Sequence, residues 1–75
     1  MSRLPRLSGR DCVKALAKAG FYPKRQHGSH IVLRRDNPFA QLVVPDHKEL
    51  DRGTLRAILI LRQADLGVDE FNALL

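Results

Sequence analysis

Three short strand candidates follow one another along the chain with only three residues in each gap between them. They are "FYPKRQ" (21–26), "HIVLRR" (30–35) and "FAQLVV" (39–44). Gly28 lies in the first gap, and "Asp36-Asn37-Pro38" fills the second and is a turn signal. Parallel strands need a crossover of a dozen or more residues, so connections this short require hairpins. The spacing therefore predicts a three-stranded antiparallel sheet, with Pro23 placing the first strand at an edge.

Helical patterns lie on both sides of this sheet. Ser8 is a typical N-cap and Gly20 stands at the usual glycine stop, which predicts the first helix between them. A second helix is predicted at roughly 51–64, with Asp51 at its positive end, and a short last helix at about 69–74. The predicted fold class is α+β, an α-β-β-β-α arrangement with the helices on one face of the sheet.

The length and the cysteine count limit the class of protein. A chain of 75 residues buries only about 60% of its unfolded surface, so residues 1–75 are predicted to form one domain with a small stability margin. One cysteine cannot form an internal disulfide, which suits a reducing cytoplasm. No apolar run could span a bilayer, and "MSRLPRL" lacks the apolar stretch of a signal peptide. We therefore expect a cytoplasmic protein with no membrane partner.

The charge is unevenly distributed. Residues 1–35 carry nine Lys and Arg against one acid, a balance of +8, whereas residues 36–75 carry four against seven acids, a balance of −3. A basic surface binds polyanions by releasing their counterions, although a net charge also simply keeps a small protein soluble. The segregation favours a nucleic-acid partner. Arg10, Lys14 and Lys18 form a stripe on the first helix that either binds phosphates or is merely solvated.

The stretch His27-Gly28-Ser29-His30 begins the second strand candidate. RNA carries its own nucleophile, the 2′-hydroxyl, so its cleavage needs a base, an acid and positive charge. Histidine titrates near neutrality and can serve as either acid or base. His30, which a strand would hold in place, is therefore the candidate catalytic residue. Gly28 lets a backbone approach closely, and Ser29 can donate to a phosphate oxygen.

Each of these residues also has an ordinary interpretation. Gly28 and Ser29 suit a tight turn, and an isolated histidine is more often structural or exposed than catalytic. His27 is expected to face solvent, with at most a minor role in binding. His47, in "VPDHKEL", is either a second acid or base or a loop residue that forms a hydrogen bond.

A metal site is the rival chemistry. Its candidate ligands are His27, His30, Asp46, His47 and Glu49. Their spacing fits no established zinc pattern and the chain has no cysteine pair, so no metal and no cofactor are expected. Cys12 falls beside the apolar side of the first helix and is expected to pack rather than to react.

Three longer stretches resemble one known family. "LAKAGFYPKRQHGSHIVL" is similar to the helix end, strand and Gly-Ser-His turn of the HicA family of bacterial toxins, which are small mRNA-cleaving ribonucleases paired with HicB antitoxins. "LVVPDHKELDRGTLRAIL" resembles the family's Val-Pro-x-His and Gly-Thr-Leu-x-x-Ile-Leu segments, and "RQADLGVDEFNALL" resembles its tail. The stretches occur in order along nearly the whole chain.

The resemblance implies a fold like that of a double-stranded-RNA-binding domain, with His30 as the catalytic histidine of Gly-Ser-His. It implies mRNA as substrate, a HicB-type antitoxin that covers the active face, and contact with DNA only through that antitoxin. Two features depart from the family. Ile60-Leu61 reads as a two-residue insertion, which would rotate the following helix by roughly 200°. Gly67 replaces the commoner Ser or Thr cap.

The leading interpretation is thus a metal-independent endoribonuclease toxin. The predicted RNA-binding residues are Lys24, Arg25, Gly28, Ser29, Arg34, Arg35 and His47. One alternative is a non-catalytic RNA-binding module, which would bind RNA in a salt-sensitive way without turnover. A second is a protein-interaction module that uses the apolar arc 57–61.

Overall fold

The computed structural model describes residues 6–58 and 67–75. Helix α1 spans Gly9–Ala17, strands β1, β2 and β3 span Tyr22–His27, His30–Asp36 and Phe39–Pro45, helix α2 spans Arg52–Arg56 and helix α3 spans Val68–Leu74. The predicted α+β class and element order are confirmed, and every strand lies within one residue of its predicted bounds. The later part of the predicted 51–64 helix, including Ile60-Leu61, lies outside the described residues.

The three strands form one antiparallel sheet in the order β1-β2-β3. β1 is an edge strand with a bulge between Pro23 and Arg25, as the proline predicts. Side chains alternate between the two faces of each strand. The inner face carries Ile31 and Leu33 of β2 and Ala40, Leu42 and Val44 of β3, all buried. The outer face carries His30, Val32, Arg34 and Asp36 together with the residues paired with them.

The core lies between the inner face and the helices. The buried residues of the three described helices join the inner-face side chains in one cluster, which includes Leu16 of α1, Leu55 of α2 and Phe71 of α3. Among the described residues no polar or charged side chain is buried. Cys12 is fully buried in this cluster, and burial raises the pKa of its thiol to about 12. The thiol therefore stays protonated and unreactive, as predicted.

The helix ends follow the capping signals in the sequence. The Ser8 hydroxyl accepts a hydrogen bond from the Asp11 backbone N–H at 3.1 Å. Gly20 has a φ of +95°, a conformation that glycine adopts without strain, and the chain reverses there into β1. At α3 the Gly67 N–H donates to the Glu70 carboxylate at 3.3 Å, which is the glutamate half of a capping box, while glycine offers no side chain for the other half. None of the described helices is long and apolar enough to cross a membrane.

Gly9 is the place where α1 meets the end of β3. Its N–H donates to the His47 carbonyl at 2.8 Å. A side chain at this position would overlap the Pro45 carbonyl oxygen and would lie 3.1 Å from the Asp46 Cα. The close approach of two backbones therefore requires glycine here, for reasons of space rather than of φ.

Replacing Gly9 with alanine is expected to lower the free energy of unfolding by roughly 1–3 kcal/mol, because the methyl group forces α1 away from the end of β3. Urea unfolding followed by circular dichroism measures the change. Gly67→Ala is the comparison, since its site is exposed and its nearest neighbour is the flexible Glu70 side chain; as a change of the α3 N-cap it should cost less than about 1 kcal/mol. Equal stabilities for the two variants would contradict the tight α1–β3 contact.

Candidate functional site

The HGSH stretch forms the hairpin that joins β1 to β2. Gly28 and Ser29 make a two-residue turn, and His27 and His30 are the cross-strand pair that closes it. Directly opposed residues share one face of a sheet with their Cβ atoms about 5 Å apart, so both imidazoles stand side by side on the outer face. Gly28 has a φ of +57° and no atom lies within 4 Å of where a Cβ would be, so the turn conformation is what requires glycine.

A network of hydrogen bonds holds this turn. The Asp46 N–H donates to the Ser29 carbonyl at 2.6 Å, which ties the turn to the end of β3. The Gln26 amide donates to the Gly28 carbonyl at 2.9 Å and to the Asp46 carboxylate at 3.3 Å. Arg10 of α1 reaches the same carboxylate oxygen at 3.1 Å. The hairpin that carries the two histidines is thus bonded to Asp46 at the end of β3, and Arg10 of α1 contacts the same aspartate.

Both imidazoles face a groove of about 600 Å³. Its lining comprises His27, His30, Val32, Val43, Pro45, Thr54, Ala57 and Ile58. The sheet supplies the histidines and three apolar side chains, and the other side comes from α2 and the two residues after it. His27 and His30 are both exposed. The arrangement offers an open cleft in which two ionisable rings can reach one bound molecule.

The start of α2 is fixed by Asp51, its N-cap. The Asp51 carboxylate accepts from the Thr54 N–H at 2.7 Å and from the Thr54 hydroxyl at 2.9 Å. These hydrogen bonds, the backbone one foremost, lower the pKa of Asp51. The cap therefore orients Thr54, which lines the groove, as well as the helix.

Acid is expected to weaken this cap. The pKa of Asp51 is lower in the folded state than in the unfolded state. The Asp51 carboxylate therefore stabilises the fold fully at pH values above its unfolded-state pKa. This stabilisation is lost as the pH falls through the folded-state pKa. Asp51→Asn keeps an acceptor oxygen but removes the charge. Urea midpoints of the parent and of Asp51→Asn should differ at neutral pH and converge in acid. A difference that persists unchanged into acid would show that the charge contributes nothing.

The predicted cationic contacts are divided between the faces of the sheet. Arg25 pairs with Val32 and so lies on the outer face, and Lys24 lies in the adjacent bulge. Both are exposed. Arg34 also lies on the outer face, where its Nε donates to Asp36 at 2.8 Å. Arg35 lies on the inner face instead, over the Phe21 ring at 4.7 Å, with its Nε donating to Pro38. The structure thus separates Arg35 from the imidazoles.

Ser29 and His47, also predicted to bind RNA, do not line the groove. Ser29 is exposed in the turn, and its carbonyl is engaged by Asp46. His47 is exposed two residues after β3, and its carbonyl accepts from Gly9. Within residues 6–58 and 67–75 no three His, Cys, Asp or Glu side chains are grouped to hold a metal ion. Asp46, one of the candidate ligands, is instead engaged by Arg10 and Gln26.

Comparison with known proteins places this arrangement in a family. Residues 9–66 match the family model described as the HicA toxin of bacterial toxin–antitoxin systems, and this range includes α1, the whole sheet and α2. The chain belongs to the HicA toxin family. A search of curated proteins and a search of solved structures both return no match. As a HicA family toxin, the chain is one half of a toxin–antitoxin pair, and the matched range contains the entire HGSH hairpin.

Two features of this HicA site were missed or undervalued in the sequence. His27 is exposed, as expected, and it also lines the groove beside His30. The signal was present, because two residues between strand ends fix a hairpin in which the flanking residues pair. Thr54 and Ala57 also line the groove. The sequence carries no signal for this, because it depends on how α2 packs against the sheet.

Proposed function

We propose that this HicA family toxin is a metal-independent endoribonuclease that cleaves mRNA in the cytoplasm and is neutralised by a HicB-type antitoxin. The observation that carries the proposal is the pair of exposed imidazoles on one side of the 600 Å³ groove, on a hairpin held by hydrogen bonds. Two imidazoles placed side by side suit a reaction that needs one base and one acid.

The reaction uses the ribose as its own nucleophile. One imidazole accepts the 2′-hydroxyl proton while the 2′-oxygen forms a bond to phosphorus. The bond from phosphorus to the 5′-oxygen breaks, and a protonated group supplies the proton to that leaving oxygen. His30 takes one of these roles, and His27 is positioned for the other. Arg25, exposed on the same face, supports the negative charge that develops on the phosphoryl oxygens.

The products of this chemistry are a 2′,3′-cyclic phosphate and a 5′-hydroxyl, and these ends provide the test. Purified toxin is incubated with a single-stranded RNA in the presence of a chelator. We expect cleavage with cyclic phosphate ends and no cleavage at a linkage whose 2′-hydroxyl is replaced by hydrogen. Binding without turnover would favour the non-catalytic RNA-binding module, and cleavage at the deoxy linkage would refute the internal nucleophile.

The antitoxin is proposed to act by covering the imidazole groove. The family assignment implies an antitoxin partner, and an exposed groove with apolar lining from Val32, Val43 and Pro45 offers a protein a surface to bury. Addition of a HicB-type partner should therefore inhibit cleavage at stoichiometric amounts. The complex would contact operator DNA only through that partner.

A further inference from the structure

A cluster of flat side chains lies on the outer face at the end of the sheet away from the imidazoles. The Tyr22 hydroxyl donates to one Asp36 oxygen at 2.9 Å, and the Arg34 Nε donates to the other at 2.8 Å. The Arg34 guanidinium carbon lies 5.1 Å from the centroid of the Phe39 ring. Asp36 thus fixes the tyrosine and the arginine, and the arginine stacks on the phenylalanine.

The two aromatic rings of this cluster are exposed. Phe39 is 60% exposed and Tyr22 is 41% exposed, although both are large apolar groups that a stable core would bury. The bonds to Asp36 restrict the orientation of Tyr22 and Arg34 before any ligand arrives. Flat groups held open to solvent in this way are suited to stacking against another planar group.

The cluster and the catalytic candidate lie on the same outer face of the sheet, at its two ends. Asp36 is six residues from His30 along β2, which at about 3.3 Å per residue separates the two ends by roughly 20 Å. That distance corresponds to about six nucleotides stacked at 3.4 Å, and to fewer in an extended strand. Arg25 lies on the outer face between the two ends, where a phosphate backbone would pass.

We propose that Phe39, with Tyr22 and Arg34, forms a stacking platform for an RNA base, so that the toxin acts on single-stranded RNA. The inference rests on the proposed function. Arg25 gives the face positive charge, and the charge of the one acid in the cluster, Asp36, is balanced by Arg34. In a duplex the bases are stacked on one another and cannot reach an aromatic ring, whereas unpaired bases stack on aromatic and guanidinium planes.

The test measures RNA affinity in the His30→Ala background, which prevents cleavage during the measurement. The probe is a single strand of about 12 nucleotides, long enough to extend from the groove to the platform. Replacing Phe39 with leucine keeps an apolar side chain but removes the ring, and we expect the dissociation constant to rise by roughly 5- to 100-fold. Phe39→Trp should retain the affinity. Leu75→Ala, which truncates a residue 54% exposed on the helical side, should leave it unchanged.

Each other outcome has a definite meaning. An unchanged affinity in Phe39→Leu, or a duplex of the same sequence that binds as tightly as the single strand, would overturn the platform. A variant that loses antitoxin binding but keeps RNA binding would assign the ring to a protein interface and also overturn it. Failure of the parent toxin to cleave RNA at all would instead refute the proposed function, so the two failures are distinguishable.

Discussion

Replacement of His30 by alanine is expected to lower the rate of RNA cleavage by roughly 100- to 10,000-fold, the range that a positioned general acid or base contributes. The imidazole is exposed, and His30 is tied to its neighbours through the backbone pairing of β2 with β1 and β3. Truncation should therefore leave the fold and the RNA affinity intact. The measurement is single-turnover cleavage with saturating toxin, which separates the chemical step from binding.

His47→Ala is the matched control for that experiment. His47 is equally an exposed histidine close to a strand end, but it does not line the groove. We expect its loss to change the cleavage rate by less than the loss of His30. Equal effects at the two positions would contradict a specific role for the 27–30 hairpin, and undiminished cleavage by His30→Ala would remove the proposed catalytic residue.

His27→Ala then separates a single catalytic group from a pair. If both rings transfer protons, this variant should also lose at least about 100-fold in rate. The pH–rate profile of the parent toxin should be bell-shaped, because one group must be unprotonated and the other protonated in the active form. Each alanine variant should lose one limb of the bell. A profile with one limb in the parent would assign the second proton transfer to water.

The sequence predicts the sheet well because the spacing leaves little choice. With three residues between strand candidates, only hairpins connect them, and the bounds of β1, β2 and β3 follow. The same register decides which arginine can help the site. Arg34 and Arg35 are adjacent in a strand, so they lie on opposite faces, and only Arg34 shares the outer face with the imidazoles.

Contacts between distant segments had no comparable signal in the sequence. Nothing near Gly9 reveals that its Cα will lie against the Pro45 carbonyl, because that contact exists only when α1 is packed on the sheet. The groove likewise depends on residues that are far apart in the chain, His27 and Ile58 among them. Local pattern therefore located the catalytic candidate, and tertiary packing supplied the opposite side of its groove.

Helix α3 lies outside residues 9–66, the range that matches the HicA family model. Its Phe71 is nevertheless fully buried, and it is the largest of the fully buried side chains in the part of the chain that the structure describes. It belongs to the same cluster as Leu16 of α1 and Leu33 of β2. A helix beyond the matched range thus completes the core that supports the sheet.

Replacing Phe71 with alanine is therefore expected to lower the free energy of unfolding by about 3–5 kcal/mol, through lost burial and the cavity that remains. A domain of 75 residues is stable by only about 4–11 kcal/mol, so the variant should approach unfolding at ambient temperature. Phe71→Leu should lower the free energy of unfolding by less, because leucine fills most of the cavity. Leu75→Ala, at an exposed site, should change the free energy of unfolding by no more than about 0.5 kcal/mol. Urea denaturation of the three variants gives the comparison. If Phe71→Ala proved no more damaging than Leu75→Ala, α3 would not be part of the folded core, and the HicA fold would be stable without it.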